Sequence, residues 1–538
     1  MSNQKRWANG AAAEASVATQ PATSQLFARA VSLHLDGRGD EALVELERAL
    51  RGGEKRAEIY SAIGYIHYER KQYEEATGAY KRLLELESDH PNGCFNLALC
   101  LQAAEQWKEA AQCFEKALAA NPSRKEAYLG LGACQLHLGA ARRAQEAYES
   151  VLVKEPNLEP AMFGKAVALQ LQKDLKGAGE LYRRILKQNP SSEETLINLV
   201  WMSGELKDYK SMGAYCDRLL EMKPDSLTAL QGLAMVAFAS EDYEKAAEHC
   251  AAIVSYAPES FEGWFNLGLA YQKAQNHEKA AEVYSRAIRI QPQEAQLYVN
   301  LGISKQETGD WKAAREAYEQ ALKIQPNSPT AQWNLALVLE RQQELSEADA
   351  VYTKLLAGNP DWEDARFRIG YVRLQLGDYK GSAEAFEGCL EKRRNWPEAQ
   401  LNAGLAYWKM GDMKQARAAF EKILAMDAGS VEALRGLAGI ALQCGETSEA
   451  LRLHHELIKK GHRTPELLYN TGLLLQKSEE HNEAARFYRE ALDASPEFPE
   501  ALLNLGIALK ALGEEEEARS HWRRALKAKP ELANGYFE

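Results

Sequence analysis

The sequence predicts an all-α solenoid of about fifteen two-helix units, and two observations about its prolines carry this prediction. Sixteen of the seventeen prolines fall within one short stretch of a 34-residue period, which leaves the rest of each unit free of proline. Proline is tolerated in the first turn of a helix but not inside one, so each unit has room for uninterrupted helices. Eight prolines follow each other at this interval without a slip: Pro122, Pro156, Pro190, Pro224, Pro258, Pro292, Pro326 and Pro360.

Numbering each unit so that this proline takes position 32 places repeat one at 23–56 and repeat fifteen at 499–532. The array of 15 units, 23–532, covers 510 of the 538 residues and is expected to form one quasi-one-dimensional body. Residues 1–22 are rich in Ala, Ser, Thr and Gln and predict a flexible tail. Residues 533–538 resemble the truncated start of a further unit, so we expect the C-terminal end to be covered by a partner or by self-association.

Each unit divides into two helices at recognisable start and stop signals. Residue types that cap helix N-termini stand at position 34 of six units: Ser192, Ser226, Ser260, Ser328, Ser430 and Thr464. Glycine near position 15 closes the first helix in seven units: Gly37, Gly139, Gly309, Gly377, Gly411, Gly445 and Gly513.

The packing of the two helices is predicted from three further positions. Positions 8 and 20 are mostly Gly or Ala, which lets helices approach closely, and position 24 is mostly aromatic, as in Tyr284 and Phe386. Repeat six, 193–226, departs from this pattern with Val200, Met212 and Cys216. We therefore expect an irregular or more mobile joint in repeat six.

Composition excludes several classes of protein. The formal net charge of -12 disfavours polyanion partners, so no nucleic acid is expected. No apolar run is long enough to span a bilayer and no signal-peptide core is present, which predicts a cytoplasmic protein without membrane insertion. The eight cysteines lack zinc-like spacing and are expected to be free, buried and reduced.

The motifs of common enzymes are missing from the sequence. It contains no GxxxxGK, GxSxG or HExxH, and the repeats leave no room for a separate pocket-forming domain. His454, His455 and His462 are the nearest approach to a metal cluster, but a core or solvated role suits them better. We predict no enzymatic activity and no cofactor or metal.

One segment shows the family that the units resemble. In the stretch EGWFNLGLAYQKAQNHEKAAEVYSRAIRIQP, eight residues match the signature of the tetratricopeptide repeat: Trp264, Leu267, Gly268, Tyr271, Ala280, Tyr284, Ala287 and Pro292. The resemblance implies helical hairpins stacked into a right-handed superhelix, with the first helices lining a concave groove.

The family resemblance places position 6 of each unit in this groove, where a row of amides marks a candidate peptide-binding site. A primary amide matches the C=O and N–H groups of an extended backbone, and the arrangement resembles the asparagine ladder of the O-linked N-acetylglucosamine transferase repeat domain, without its catalytic domain. Alternatively, duplication copied a neutral residue. The row comprises Asn96, Asn198, Asn266, Asn300, Asn334, Asn402, Asn470 and Asn504, with Arg368 at the same position of repeat eleven.

Apolar and acidic rows accompany the amides. Positions 5 and 9 are largely apolar, so Phe265, Trp333 and Tyr371 are further candidates for peptide contact, although part of this stripe is helix packing. Trp362 and Trp396 at position 34 suggest an exposed aromatic patch. Acidic residues dominate position 2. In the chaperone adaptors of the family that these units resemble, this position carries a lysine of the clamp that binds carboxylates. The acidic residues of this chain either complement the helix dipole or form an acidic rim that prefers basic partners.

These observations favour a non-enzymatic scaffold or adaptor that takes up peptide segments of partner proteins in the groove. The alternative is a non-catalytic targeting subunit of a separately encoded glycosyltransferase or other modifying enzyme. An RNA-binding repeat is disfavoured because the period is 34 residues and no basic stripe occurs.

Overall fold

The computed structural model describes residues 25–54 and 56–535, and within these residues it contains thirty α-helices and no strand. The prediction of an all-α solenoid is confirmed. Contacts divide the helices into two compact units, one up to Pro258 and one from Glu259 onward. The predicted tail at 1–22 lies outside the described residues, as do residues 536–538 of the predicted truncated unit.

The first unit contains seven helical hairpins. Its helices are α1 (Gln25–Leu35), α2 (Gly39–Arg51), α3 (Ala57–Glu69), α4 (Tyr73–Leu86), α5 (Gly93–Ala103), α6 (Trp107–Ala120), α7 (Lys125–His137), α8 (Ala141–Leu152), α9 (Glu159–Leu171), α10 (Leu175–Gln188), α11 (Glu193–Glu205), α12 (Tyr209–Met222), α13 (Leu227–Ala239) and α14 (Tyr243–Tyr256).

The second unit contains eight hairpins and ends in a short 3-10 helix, Pro530–Gly535. Its helices are α15 (Phe261–Lys273), α16 (His277–Ile290), α17 (Ala295–Glu307), α18 (Trp311–Ile324), α19 (Pro329–Arg341), α20 (Leu345–Gly358), α21 (Glu363–Leu376), α22 (Tyr379–Lys392), α23 (Pro397–Met410), α24 (Met413–Met426), α25 (Val431–Gln443), α26 (Thr447–Lys459), α27 (Pro465–Lys477), α28 (His481–Ala494), α29 (Pro499–Ala511) and α30 (Glu515–Ala528).

The aromatic ring at position 24 is the centre of each regular repeat, as predicted. Tyr148 is 4 % exposed and lies against two glycines, Gly132 at position 8 of its own repeat and Gly164 at position 6 of the next. A Cβ atom at Gly132 would lie 2.6 Å from the Tyr148 ring, and one at Gly164 would lie 2.2 Å from it. Small residues are therefore required where the ring is clamped between two first helices.

The helix boundaries follow the predicted signals with one exception. The side-chain oxygens of Ser226, Ser260, Ser328, Ser430 and Thr464 accept hydrogen bonds from backbone N–H groups in the first turns of their helices. Ser192 instead shares a 2.8 Å hydrogen bond with the Thr195 hydroxyl, so its predicted capping bond is not formed.

The two helices of repeat six have regular lengths, although the sequence predicts irregularity there. Its helices α11 and α12 have 13 and 14 residues, the lengths found in most repeats. Val200, Met212 and Cys216 are all buried, and both Val200 and Cys216 lie beside Gly232 of the next repeat. In this repeat the residue at position 8 is large and the residue at position 24 is small, which reverses the regular pattern. The two side chains together therefore still fill the core.

The described chain ends on a partly covered helix. Leu532 of the 3-10 helix packs against the hydrophobic cluster of the last two repeats, which includes Leu505 and Ala525. No helix in the described part of the chain is both long and apolar enough to cross a membrane.

The cysteines are unpaired, and the prediction that all are buried is wrong for some of them. Cys100, Cys134, Cys216, Cys250 and Cys389 are buried, Cys94 and Cys113 are half-buried, and Cys444 is exposed. Burial raises the pKa of Cys100 to about 12 and that of Cys134 to about 11, so these thiols stay protonated at neutral pH. Cys444 lies at position 14, where the first helix meets solvent.

Candidate functional site

The first helices of successive repeats form the inner face of the stack. Within the units, α7 contacts α9, α11 contacts α13 and α23 contacts α25, whereas second helices of successive described repeats make no comparable contacts. Closer approach of the first helices means that the stack curves locally toward them. Positions 2, 6, 9 and 13 follow the helical spacing of one face, which we call the inner stripe.

Three amides of the predicted row bind their own helices. The Nδ2 atoms of Asn198 and Asn402 donate to the carbonyl oxygens of Glu194 and Glu398, at 2.8 and 2.9 Å. Asn504 donates to the carbonyl of Glu500 at 2.9 Å and also lies 3.1 Å from the Tyr469 hydroxyl. These side chains are half-buried, and part of their donor capacity is already used by the fold.

Two further amides bind the tyrosine at position 24 of the preceding repeat. Asn96 forms a hydrogen bond with Tyr80, and Asn300 forms one with Tyr284; each bond partly opposes the rise in tyrosine pKa that burial causes. The Asn300 Oδ1 atom also accepts a 2.9 Å hydrogen bond from Gln296, and only 7 % of Asn300 is exposed. Asn300 is therefore a component of the core rather than of an open surface.

The remaining amides are Asn266, Asn334 and Asn470. Asn266 is exposed, and the other two are half-buried. Within residues 25–54 and 56–535 their side chains have no hydrogen-bond partner. The structure thus leaves three amides free for a ligand, in repeats eight, ten and fourteen, rather than a continuous ladder.

Arg368 serves the repeat interface. Its Nε and Nη2 atoms lie 3.1 and 2.9 Å from the two carboxylate oxygens of Glu340, which is 9 % exposed. Glu340 also accepts a hydrogen bond from the Tyr352 hydroxyl. In other repeats that tyrosine donates to a glutamine at position 12, as Tyr284 does to Gln272 at 3.0 Å. The carboxylate and the guanidinium therefore replace a Gln and an Asn together, which accounts for Arg368 without a ligand.

The aromatic residues at position 5 belong mainly to the core. Phe265 meets the Tyr284 ring edge-on at 6.5 Å, and Trp333 meets Tyr352 at 5.9 Å. Trp333 also stacks on Trp362 at 5.2 Å. Each position-5 ring is thus held by position 24 of its own repeat, and in this repeat also by position 34.

The aromatic patch suggested at position 34 is not an exposed surface. Trp362 covers Trp333, and Trp396 stacks on Phe367 at 4.8 Å with an interplanar angle of 16°. Both position-34 rings are half-buried. The larger residues at this position extend the core to the junction between repeats.

Position 9 supplies the exposed apolar row of the inner stripe. Tyr371, one of the predicted residues, is 38 % exposed. Residue type alone does not distinguish the other exposed members of this row from core residues. The exposed members are Val31, Tyr65, Trp201, Met235, Tyr371 and Ile507.

Carboxylates border this row. Seven of the position-2 acids are exposed and form no ion pair within the described residues: Glu58, Glu194, Glu262, Asp364, Glu398, Glu432 and Glu466. The histidines noted in the sequence lie apart from this face: His454 is buried beside the Thr471 hydroxyl at 3.1 Å, and His455 packs on Phe487. No group of three metal-binding side chains occurs in the described part of the chain.

Comparisons with protein-family models match most of the chain. The model described as the tetratricopeptide repeat protein 21 N-terminal ARM repeat matches residues 8–213. Models described as tetratricopeptide repeats match residues 259–327, 299–361, 363–394, 407–469 and 475–534. A search of curated proteins found no match.

Three of the solved structures that match this chain are the following. A crystal structure of MamA protein is 24% identical, with a TM-score of 0.30, and the match covers 32% of this chain and 95% of that one. Naa15/Naa10 bound to HypK-THB gives 14% identity and a TM-score of 0.33, over 94% and 93% of the two chains. A tetratricopeptide repeat protein from Parabacteroides merdae ATCC 43184 gives 19% identity and a TM-score of 0.32, over 46% and 98%.

Proposed function

Since the chain belongs to the tetratricopeptide repeat family, we propose that it is a non-enzymatic scaffold or adaptor that binds peptide segments of partner proteins on the inner face of its repeats. The observation that carries this proposal is the exposed row at position 9. In most repeats position 24 is filled by a buried side chain and position 8 by a small residue, whereas large apolar side chains at position 9 meet solvent in repeats one, two, six, seven, eleven and fifteen. Apolar residues that recur on one face outside the core are typical of an interaction surface.

The amides support recognition of a polar backbone at a few points. Asn266, Asn334 and Asn470 have unused donors and acceptors on the inner stripe, and half-buried leucines lie at position 9, one turn further along the same helices. The exposed members of the position-9 row belong to other repeats. A bound segment would place apolar side chains on position 9 and polar groups toward these amides. We leave Asn300 and Arg368 out of this role, because their polar groups bond within the fold.

Affinity purification from the native host, followed by mass spectrometry, tests the proposal. We expect wild type to retain specific proteins and the variant Tyr65→Ser/Trp201→Ser/Met235→Ser/Tyr371→Ser to lose them. The matched control removes four exposed apolar residues near the ends of second helices, Leu86→Ser/Met222→Ser/Tyr256→Ser/Met426→Ser, and should retain the same proteins. Equal loss in both variants would contradict an inner-face site. Recovery of a glycosyltransferase as the main partner would favour the targeting-subunit alternative.

A further inference from the structure

We infer that the inner face of repeats five to seven binds a basic amphipathic segment of a partner protein, with an arginine or lysine on the Trp201 ring. This inference rests on the proposed function and specifies the chemistry of the partner. It starts from α11, whose inner stripe reads Glu194, Asn198, Trp201 and Glu205. Both carboxylates are exposed, and Trp201 is 50 % exposed.

The polar groups of this stripe are mainly hydrogen-bond acceptors. Neither Glu194 nor Glu205 forms an ion pair within the described residues. The Asn198 amide uses its Nδ2 atom on the carbonyl of Glu194, which leaves its Oδ1 atom without a partner. A surface rich in acceptors is complementary to a side chain that only donates, and among the charged residues these are arginine and lysine.

The spacing along α11 suits a cation on the indole ring. With a rise of about 1.5 Å per residue, Glu194 lies about 10 Å before Trp201 and Glu205 lies about 6 Å after it along the helix axis. A guanidinium stacked on the indole face would gain a cation–π contact and lie between two negative charges. Lys207 follows in the turn after the helix and lies outside the stripe.

Neighbouring repeats supply the apolar part of the surface. Met235 at position 9 of repeat seven is 48 % exposed, and its Cε atom lies 3.9 Å from where a Cβ of Gly204 would be. Leu171 at position 13 of repeat five is 57 % exposed. Together with Trp201 these side chains give three consecutive repeats an apolar strip beside the carboxylates, which fits a segment with both apolar and basic residues.

The charge pattern distinguishes this unit from the other one. Among the described residues of the first unit, positions 2 and 13 carry no lysine or arginine. In the second unit, position 13 carries Lys273, Arg341, Lys409 and Lys477. An all-basic segment therefore meets only acidic or neutral edges in the first unit, whereas it would face cations along one edge of the second.

Synthetic peptides test the inference on the full-length protein. The probe is a fluorescein-labelled 18-residue peptide. Its leucines recur at alternating intervals of three and four residues, and its arginines recur at the same intervals. Its controls replace every arginine by glutamate, or every leucine by serine. Fluorescence anisotropy should show binding of the arginine peptide that weakens as salt is raised, and at least tenfold weaker binding of both controls. Absence of binding by the arginine peptide would overturn the inference.

Variants of the protein locate the site. We expect Trp201→Ala to weaken binding at least tenfold and Trp201→Phe to retain most of it, because the ring supplies the contact. Glu194→Gln/Glu205→Gln should weaken binding three- to tenfold at low salt. The matched control Glu180→Gln/Glu221→Gln makes the same charge change on exposed residues of α10 and α12, and should stay within twofold of wild type. Unchanged thermal unfolding by circular dichroism confirms that each variant is folded.

Two results distinguish failure of this inference from failure of the proposed function. If the control pair weakens binding as much as Glu194→Gln/Glu205→Gln, or if Trp201→Ala binds like wild type, the basic-segment site is wrong. The proteins captured from the native host would then still support the scaffold role. If no protein is captured by wild type, the proposed function itself fails.

Discussion

At the scale of single residues, the repeats keep their cores by exchanging volume between fixed positions. In a regular repeat the ring at position 24 lies on the glycine at position 8, as Tyr318 lies on Gly302. Repeat six places Val200 and Cys216 at these two positions, and both are buried. Interiors are close-packed, so a volume lost at one position has to be recovered at its neighbour.

This exchange predicts strong coupling between the substitutions. Cys216→Tyr alone should lower the free energy of unfolding by about 1–3 kcal/mol, because the ring meets Val200. The triple variant Val200→Gly/Met212→Ala/Cys216→Tyr restores the regular pattern and should be at least about 1 kcal/mol more stable than the sum of the single effects. Urea unfolding followed by circular dichroism measures this. Strict additivity would show that the three positions do not share a cavity.

His454 predicts a measurable dependence of stability on pH. Burial, with a smaller contribution from His455, lowers its pKa to about 4. The pKa of a histidine in the unfolded chain is about 6.5. Between about pH 6.5 and pH 4 the unfolded state therefore binds a proton that the folded state does not bind. The stability is complete above about pH 6.5 and should fall by up to about 3 kcal/mol at pH 4. In His454→Phe, the free energy of unfolding should fall less between pH 7 and pH 4.5 than it does in wild type. Urea unfolding at the two pH values measures this difference. Equal losses in both proteins would contradict the assignment.

The position-6 row shows what a sequence can and cannot predict at this scale. Its 34-residue spacing gives the amides the same position on the first helix of each repeat. The sequence does not show that Asn198 and Asn402 bond to carbonyls four residues earlier, because any helical Asn has that choice. It also does not pair Arg368 with Glu340, which lies 28 residues away in the preceding repeat. Both contacts depend on rotamers that neighbouring helices determine.

At the scale of helices, the turn between the two helices of a repeat has one backbone conformation throughout the array. Position 15 has a positive φ in every repeat, including Gly309 at 79° and Gly377 at 82°. Eight repeats adopt the same left-handed conformation without glycine: Lys71, Glu105, Lys173, Lys207, Glu241, Gln275, Gln343 and Glu479. The geometry of the hairpin therefore imposes this conformation on any residue at position 15, whether or not it is glycine.

This turn predicts opposite effects for two substitutions. Gln343→Gly should raise the free energy of unfolding by up to about 1 kcal/mol. A left-handed conformation costs residues with a side chain about 1–2 kcal/mol, and glycine avoids this cost. The greater conformational entropy that glycine loses on folding offsets part of the gain. Gly377→Ala should lower it by about 1 kcal/mol. A Cβ at Gly377 would meet no atom within 4 Å, so the loss would arise from the backbone alone. Thermal unfolding measures both effects, and a destabilised Gln343→Gly would contradict the account.

At the scale of the whole chain, the proline period predicts the number of repeats and the pairing of helices. It does not predict two compact units, because the 34-residue spacing continues unchanged through Pro258 and Pro292. A period records the local geometry of each hairpin. The division of contacts depends instead on side chains that differ from one copy to the next.

The two units predict that residues 1–258 and 259–538 fold as separate fragments. Hydrophobic clusters around Phe114 and Tyr182 lie within the first unit, and those around Tyr318, Phe420 and Tyr488 lie within the second. Repeat stability is a sum of local and nearest-neighbour terms, so each fragment retains the contacts that stabilise its interior repeats. We expect each purified fragment to give a helical circular dichroism spectrum, a cooperative thermal transition and slow hydrogen exchange in its interior helices. An unfolded spectrum for either fragment would show that the buried clusters on its own side of Pro258 are insufficient for folding.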